Sequence, residues 1–167
     1  MKTNKKGDIW ISAVLYIALG IIILSIVLAV GLPTIQKMRD NHVAKQTKEI
    51  MFVLDNNIRS VFNQGPGAQT QLKIEIGKGD LDINTGTNEI IWTTRTKALL
   101  SEPGYPVDEG NLQILTEDSA QKGEYDISLT LAYTHITLDY TGINPIKGTH
   151  LLSISNTGGG TVKITQL

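Results

Sequence analysis

Twenty-four consecutive residues, Ile9 to Leu32, contain no Asp, Glu, Lys, Arg or His. Nothing else in the chain is comparably apolar, and this run constrains the fold most. As a helix it would be roughly 36 Å long, enough to cross a hydrocarbon core of about 30 Å with some tilt. Lys5-Lys6-Gly7-Asp8 precede it and Pro33 ends it. Trp10 and Tyr16 stand in its first turns, where interfacial aromatics are expected. Gly20, Gly31, Ser12, Ser25, Ala13, Ala18 and Ala29 are small, so other helices could approach closely. Gly31 and Pro33 mark an expected kink or local opening, because proline removes one helical donor and crowds the preceding turn.

Lysines flank the run on both sides: Lys2, Lys5 and Lys6 before it, Lys37, Lys45 and Lys48 with Arg39 after it. Charge bias therefore does not orient it across a membrane. Read from the residues alone, the segment is a signal anchor or single-pass helix.

A second helical pattern follows. Val43, Thr47, Ile50, Leu54, Ile58 and Val61 recur at the spacing of one helix face, widened by Met51 and Phe62. Lys45, Lys48, Asp55 and Arg59 are expected off that face, with Asp55 and Arg59 forming an i,i+4 ion pair. The stretch Gln36–Lys48 is mostly polar and needs cover from a neighbouring subunit or from water. Gly65-Pro66-Gly67 stops the helix.

From residue 68 the pattern changes to period two. Leu72, Ile74 and Ile76, then Leu81 and Ile83, then Glu89 to Thr94 predict a three-stranded meander, turning at Gly77-Lys78-Gly79 and at Thr85-Gly86-Thr87-Asn88. Lys97–Gly110 is expected as a loop. Leu112–Thr116 and the Ile127, Leu129, Leu131, Tyr133 series are strands. Apolar parity then shifts to Ile136, Leu138 and Tyr140, which predicts a bulge or turn near Thr134-His135. Gly142–Gly148 reads as a loop. Leu152 and Ile154 with Val162 and Ile164 form a last hairpin around Asn156–Gly160. The fold class expected is α+β: a long N-terminal hydrophobic helix followed by an antiparallel all-β sandwich or sheet of about eight strands.

Composition excludes several functions. Cysteine is absent, which removes disulfides, thiolate zinc sites and thiol catalysis. The net charge of −1 and the lack of a basic stripe argue against nucleic-acid binding. His42, His135 and His150 are far apart and match no metal-ligand spacing. Asp80-x-Asp82-x-Asn84 starts like an EF-hand loop, but its glycine is displaced to Gly86 and Ile91 stands where the closing Glu belongs. Gly158-Gly159-Gly160 reads as a turn. No nucleophile elbow, phosphate loop or dinucleotide fingerprint is present. No catalytic residues, cofactor or metal ligands are expected, and the chain is not expected to be an enzyme.

Lys5-Lys6-Gly7 directly before a long apolar segment resembles the class III signal peptide of archaeal type IV pilins and archaellins. The resemblance covers about 60 residues, through the end of the second helical pattern. It implies cleavage between Gly7 and Asp8 by a prepilin peptidase, with Lys5, Lys6, Gly7 and Asp8 as the leader-cleavage residues. Bacterial type IV pilins carry Glu at the fifth mature position, where this chain has Ser12, so the archaeal form fits better. The implied organisation is a leader at 1–7, an N-terminal helix at 8–63 (9–32 in the membrane or filament core, 34–63 amphipathic) and a β-rich head at 68–167, the pilin-like lollipop. The implied role is a homo-oligomeric surface filament serving adhesion, resident in the membrane before assembly and extracellular when mature. The alternative is a single-pass membrane-anchored surface protein whose β domain binds a ligand or partner.

Overall fold

A computed structural model describes the backbone of residues 5–167, and the side chains of Trp10 and of Ser12 onward. One helix, α1, spans Lys5–Gln64, and Pro33 lies inside it. Eight strands follow: β1 (Gln69–Asn84), β2 (Glu89–Thr96), β3 (Val107–Glu109), β4 (Leu112–Asp118), β5 (Tyr125–Ala132), β6 (Thr137–Thr141), β7 (Ile146–Gly158) and β8 (Thr161–Gln166). This is the expected α+β class. The chain divides into two compact units between Met38 and Arg39, so the last part of α1 belongs with the strands.

The strands form one sheet in the order β3-β4-β5-β2-β1-β7-β8-β6. β5 and β6 are third and eighth in that order, a separation of about 24 Å in a flat sheet. Yet only Tyr133–Ile136 joins them, and the peptide steps from Ala132 to Thr137 reach at most about 18 Å. The sheet must therefore curl. Its inward residues form a single core: Ile74, Leu81, Trp92, Ile114, Leu129, Leu152, Ile164 and their neighbours. Met51, Leu54, Ile58 and Val61 of α1 complete that core, together with Ala44. The 3.6-residue stripe and the period-two strands thus bury the same apolar surface from opposite sides.

The expected hairpin at Gly77-Lys78-Gly79 does not form. β1 runs straight through it, pairing with β7 from Gln69 to Ile76 and again at Leu81, and with β2 from Asp80 to Asn84, with a register shift in the β7 pairing between Ile76 and Leu81. The Gly-Lys-Gly unit is a bulge in the β1–β7 pairing, beyond which β1 also pairs with β2 on its other side, a device that bends sheets. Gly79 has φ of 85°, and a Cβ there would lie 2.4 Å from the Thr93 carbonyl oxygen. The indole Nε1 of buried Trp92 donates to the Lys78 carbonyl at 2.9 Å, tying the bulge to the core.

Three further features differ from the sequence expectation. The 97–110 loop contains the short edge strand β3, paired with β4. The 142–148 loop gives way to β7 at Ile146. The sheet is not wholly antiparallel, because β6 pairs with β8 in parallel. The parity shift near Thr134-His135 is a turn that carries the chain to the far edge of the sheet. Asn88 holds that turn, its carbonyl accepting from Tyr133 N–H and its Oδ1 from Leu138 N–H. The hairpin of β7 and β8 forms as expected.

Candidate functional site: the apolar helix

The apolar run of α1 is long enough to cross a membrane, and none of its most hydrophobic window is buried within the chain. Its large side chains are exposed from 48% at Leu28 to 76% at Trp10. Soluble monomers rarely leave so large a continuous apolar surface uncovered. The helix satisfies its own backbone polar groups along this run, as lipid or a dry bundle requires, except where Pro33 interrupts the ladder. The one seryl hydroxyl near its middle follows the same rule: Ser25 Oγ donates to the Ile21 carbonyl at 2.8 Å. The run can therefore serve as a membrane anchor.

The expected kink residues occupy the end of this segment. Gly31 and Pro33 are both inside α1. Pro33 has no N–H, so the Ala29 carbonyl loses its helical donor. One turn on, Thr34 Oγ1 donates to the Val30 carbonyl at 3.0 Å. Lys5, Lys6, Gly7 and Asp8, the residues expected for leader cleavage, lie outside the residues whose side chains are described.

Beyond Met38 the helix is covered differently from expectation. The head itself, rather than a neighbour or water, meets its polar residues. Asp40 accepts from Lys78 Nζ at 3.0 Å and from Lys97 N–H at 3.1 Å. Burial pushes the Asp40 carboxyl up, but the hydrogen bonds from Lys78 and Lys97 outweigh it and hold it below the usual range. Lys48 donates to both Glu109 oxygens, at 2.8 and 2.7 Å. Asp55 pairs with Arg59 as the spacing predicts, at 2.9 and 3.1 Å, but it is buried rather than off the face. Asn111 Nδ2 also donates to it, at 2.9 Å. Asp40, Lys48 and Asp55 are 8 and 7 residues apart, hence on one helix stripe. That spacing was the available sign that polar ties to the 97–111 segment run along α1.

Tyr133 sits beside this cluster. The Arg59 guanidinium lies 5.3 Å from its ring centroid, a cation–π contact. Its buried hydroxyl makes no hydrogen bond. Burial, and then the Asp55 carboxylate, push the phenol far above its ordinary value. The raised value means the folded state keeps the proton where the unfolded phenol, near pH 10, would lose it. Stability from this group is complete below about pH 10 and falls as pH rises beyond it. Tyr133→Phe should flatten that alkaline loss and leave neutral-pH stability unchanged or raised, by up to about 1–2 kcal/mol, in urea unfolding. Asp55→Ala should cost about 1–3 kcal/mol in the same assay. This lies below the usual cost of about 3–5 kcal/mol for a broken buried pair because the Arg59 side chain is 38% exposed and can rehydrate.

The remaining sequence candidates stay apart. Asp80 pairs with Lys147 at 2.6 Å, and Asn84 Oδ1 accepts from Gly86 and Thr87 N–H in the β1–β2 turn. His150 bonds the Lys147 carbonyl and Gln166. Among the described residues no group of three metal-ligating side chains converges. No protein-family model, curated protein or solved structure matches the chain.

Proposed function

We propose that this chain is the structural subunit of an archaeal type IV pilus-like surface filament. The observation that carries the reading is the uncovered apolar helix, joined in one chain to a folded β head whose own core is complete. Such a helix needs lipid, other helices, or each in turn.

The working cycle is physical rather than catalytic. The precursor rests in the membrane. A prepilin peptidase cuts after Gly7, removing Lys2, Lys5 and Lys6, and the formal charge falls from −1 to −4. Loss of those three lysines removes the charges that would resist withdrawal of the helix from lipid. Identical helices then bundle, exchanging lipid contacts for protein contacts and keeping each large apolar side chain from water, at about 1.5–3 kcal/mol apiece. The heads face solvent at the cell surface and provide adhesion. No nucleic acid, cofactor or metal takes part in this scheme.

A Gly7→Leu precursor should stay uncut, because a bulky side chain crowds the scissile backbone, and should yield no filaments. Unchanged mature mass and normal filaments from that variant would sink the cleavage step. If the chain is instead a single-pass anchor with a ligand-binding head, its surface form retains Met1.

A further inference from the structure

The head carries a second uncovered apolar surface, split between two places. Seven large hydrophobic side chains beyond Arg39 are exposed: Val53, Leu99, Tyr105, Val107, Ile143, Leu151 and Leu167. All but Val53 fall into two groups on different strands. Leu99, Tyr105 and Val107 lie in and before edge strand β3. Ile143, Leu151 and Leu167 lie around the start of β7 and the end of β8.

The first group is a knob. Tyr105 is 66% exposed at a loop tip between Pro103 and Pro106. Hydrogen bonds from Gly104 N–H to the Thr116 carbonyl (2.8 Å) and from Tyr105 N–H to the Glu102 carbonyl (3.3 Å) hold the tip. A loop backbone held in this way loses little freedom on binding. The second group borders a groove of about 310 Å³ lined by Ile143, Pro145, Ile146, Lys147, His150 and Gln166. Its walls are also held: Ile143 N–H donates to Gln166 Oε1 at 2.8 Å, Tyr140 hydroxyl to the Ile143 carbonyl at 2.9 Å, and Leu167 N–H to the Leu151 carbonyl at 2.9 Å.

Charge separates the two places in complementary fashion. From Lys97 to Asp126 there are seven carboxylates and two lysines. Glu102 and Asp108 flank Tyr105, and only Glu109 and Asp126 of the seven are in ion pairs with other elements. From Ile143 to Leu167 there are Lys147 and Lys163 and no acidic side chain. Lys163 pairs with exposed Asp139, an exchangeable surface contact, and Lys147 with half-buried Asp80.

We infer that Tyr105 of one copy seats in the Ile143–Pro145–Ile146–His150 groove of the next, with Glu102 and Asp108 facing Lys147. The occupant is a second copy because knob and groove belong to the same chain, match in polarity and share no residue. Two different patches make a heterologous contact, which propagates from copy to copy rather than closing as a pair. This rests on the filament reading and adds a head-to-head joint to the helix bundle.

The chain has no native cysteine, so disulfide trapping reads the contact directly. Pro106→Cys with Ile143→Cys in the full chain keeps Tyr105, and surface filaments are oxidised mildly before denaturing electrophoresis. A ladder of covalent multimers is expected from the double variant and monomer from each single one. Adding Tyr105→Ala should lower the ladder at least tenfold. Intact filaments without a ladder, a ladder that survives Tyr105→Ala, or dimers from either single variant would overturn the contact and leave the filament reading standing. Absence of both filaments and ladder overturns both. A ladder from membrane-resident chains lacking filaments keeps the contact and overturns the filament.

Discussion

A Leu24→Asp chain should remain in the membrane fraction yet form no filaments. The two outcomes separate because the same charge meets different totals. The run holds fifteen Ile, Leu and Val residues. At about 0.3–0.6 kcal/mol each they favour insertion by roughly 5–9 kcal/mol. One mid-helix aspartate costs about 2.5–3.5 kcal/mol, so roughly 1–6 kcal/mol still favours the membrane. A bundle of identical helices repeats the buried, unpaired carboxylate in every copy, with no cation in the run to pair it. Filament yield should fall more than tenfold in sheared surface fractions. The head should unfold at the same urea concentration as the parent, since Leu24 is 58% exposed and contributes nothing to its core. Loss of membrane retention together with an unchanged filament yield would invert the account of the helix.

Gly79→Ala should be among the most damaging single changes in the head. The added Cβ would meet the Thr93 carbonyl oxygen at 2.4 Å, Trp92 Nε1 at 2.8 Å and Thr94 Cβ at 2.8 Å, and the residue already sits at φ of 85°. A left-handed alanine costs about 1–2 kcal/mol by itself. Two of the three atoms belong to groups that cannot move alone, one a ladder carbonyl and the other the indole that donates to Lys78. Opening that hydrogen bond leaves a buried Trp92 N–H unpaired, at about 1–3 kcal/mol more. A total of about 2–5 kcal/mol is expected from the midpoint of urea unfolding at unchanged slope. A loss under 1 kcal/mol would mean that the β1 bulge can relax without disturbing the core. Gly77→Ala is the control, because a Cβ there meets only Val43 Cγ1 at 3.9 Å.

These two positions also show what was readable from the residues. The helix was legible because a charge-free run of this length has few other solutions, and the stripe from Val43 to Val61 because its spacing is helical. Strand β5 and the β7–β8 hairpin follow from alternation, while β2 and β4 are legible as short apolar stretches between turn residues. The continuity of β1 was hidden, since Gly77-Lys78-Gly79 has the composition of a turn. Only the approach of Thr93 and Trp92, distant in sequence, makes it a bulge. The parallel pairing of β6 with β8 was hidden for a related reason. Parity reported a change of face after Tyr133 but not how far the chain travels. The helical spacing puts Asp55 off the apolar stripe, which says nothing of what covers it. Its burial depends on Asn111 and Tyr133, which come from other elements. The uncovered surface of residues 10–38 was the plainest signal, being a property of local composition.

The intact mass of the chain recovered from surface filaments tests the central proposal most directly. A mature polypeptide beginning at Asp8, in filaments seen by electron microscopy of the same fraction, is the expected result. A chain that retains Met1 and is found only in membranes, with no filaments, would contradict it.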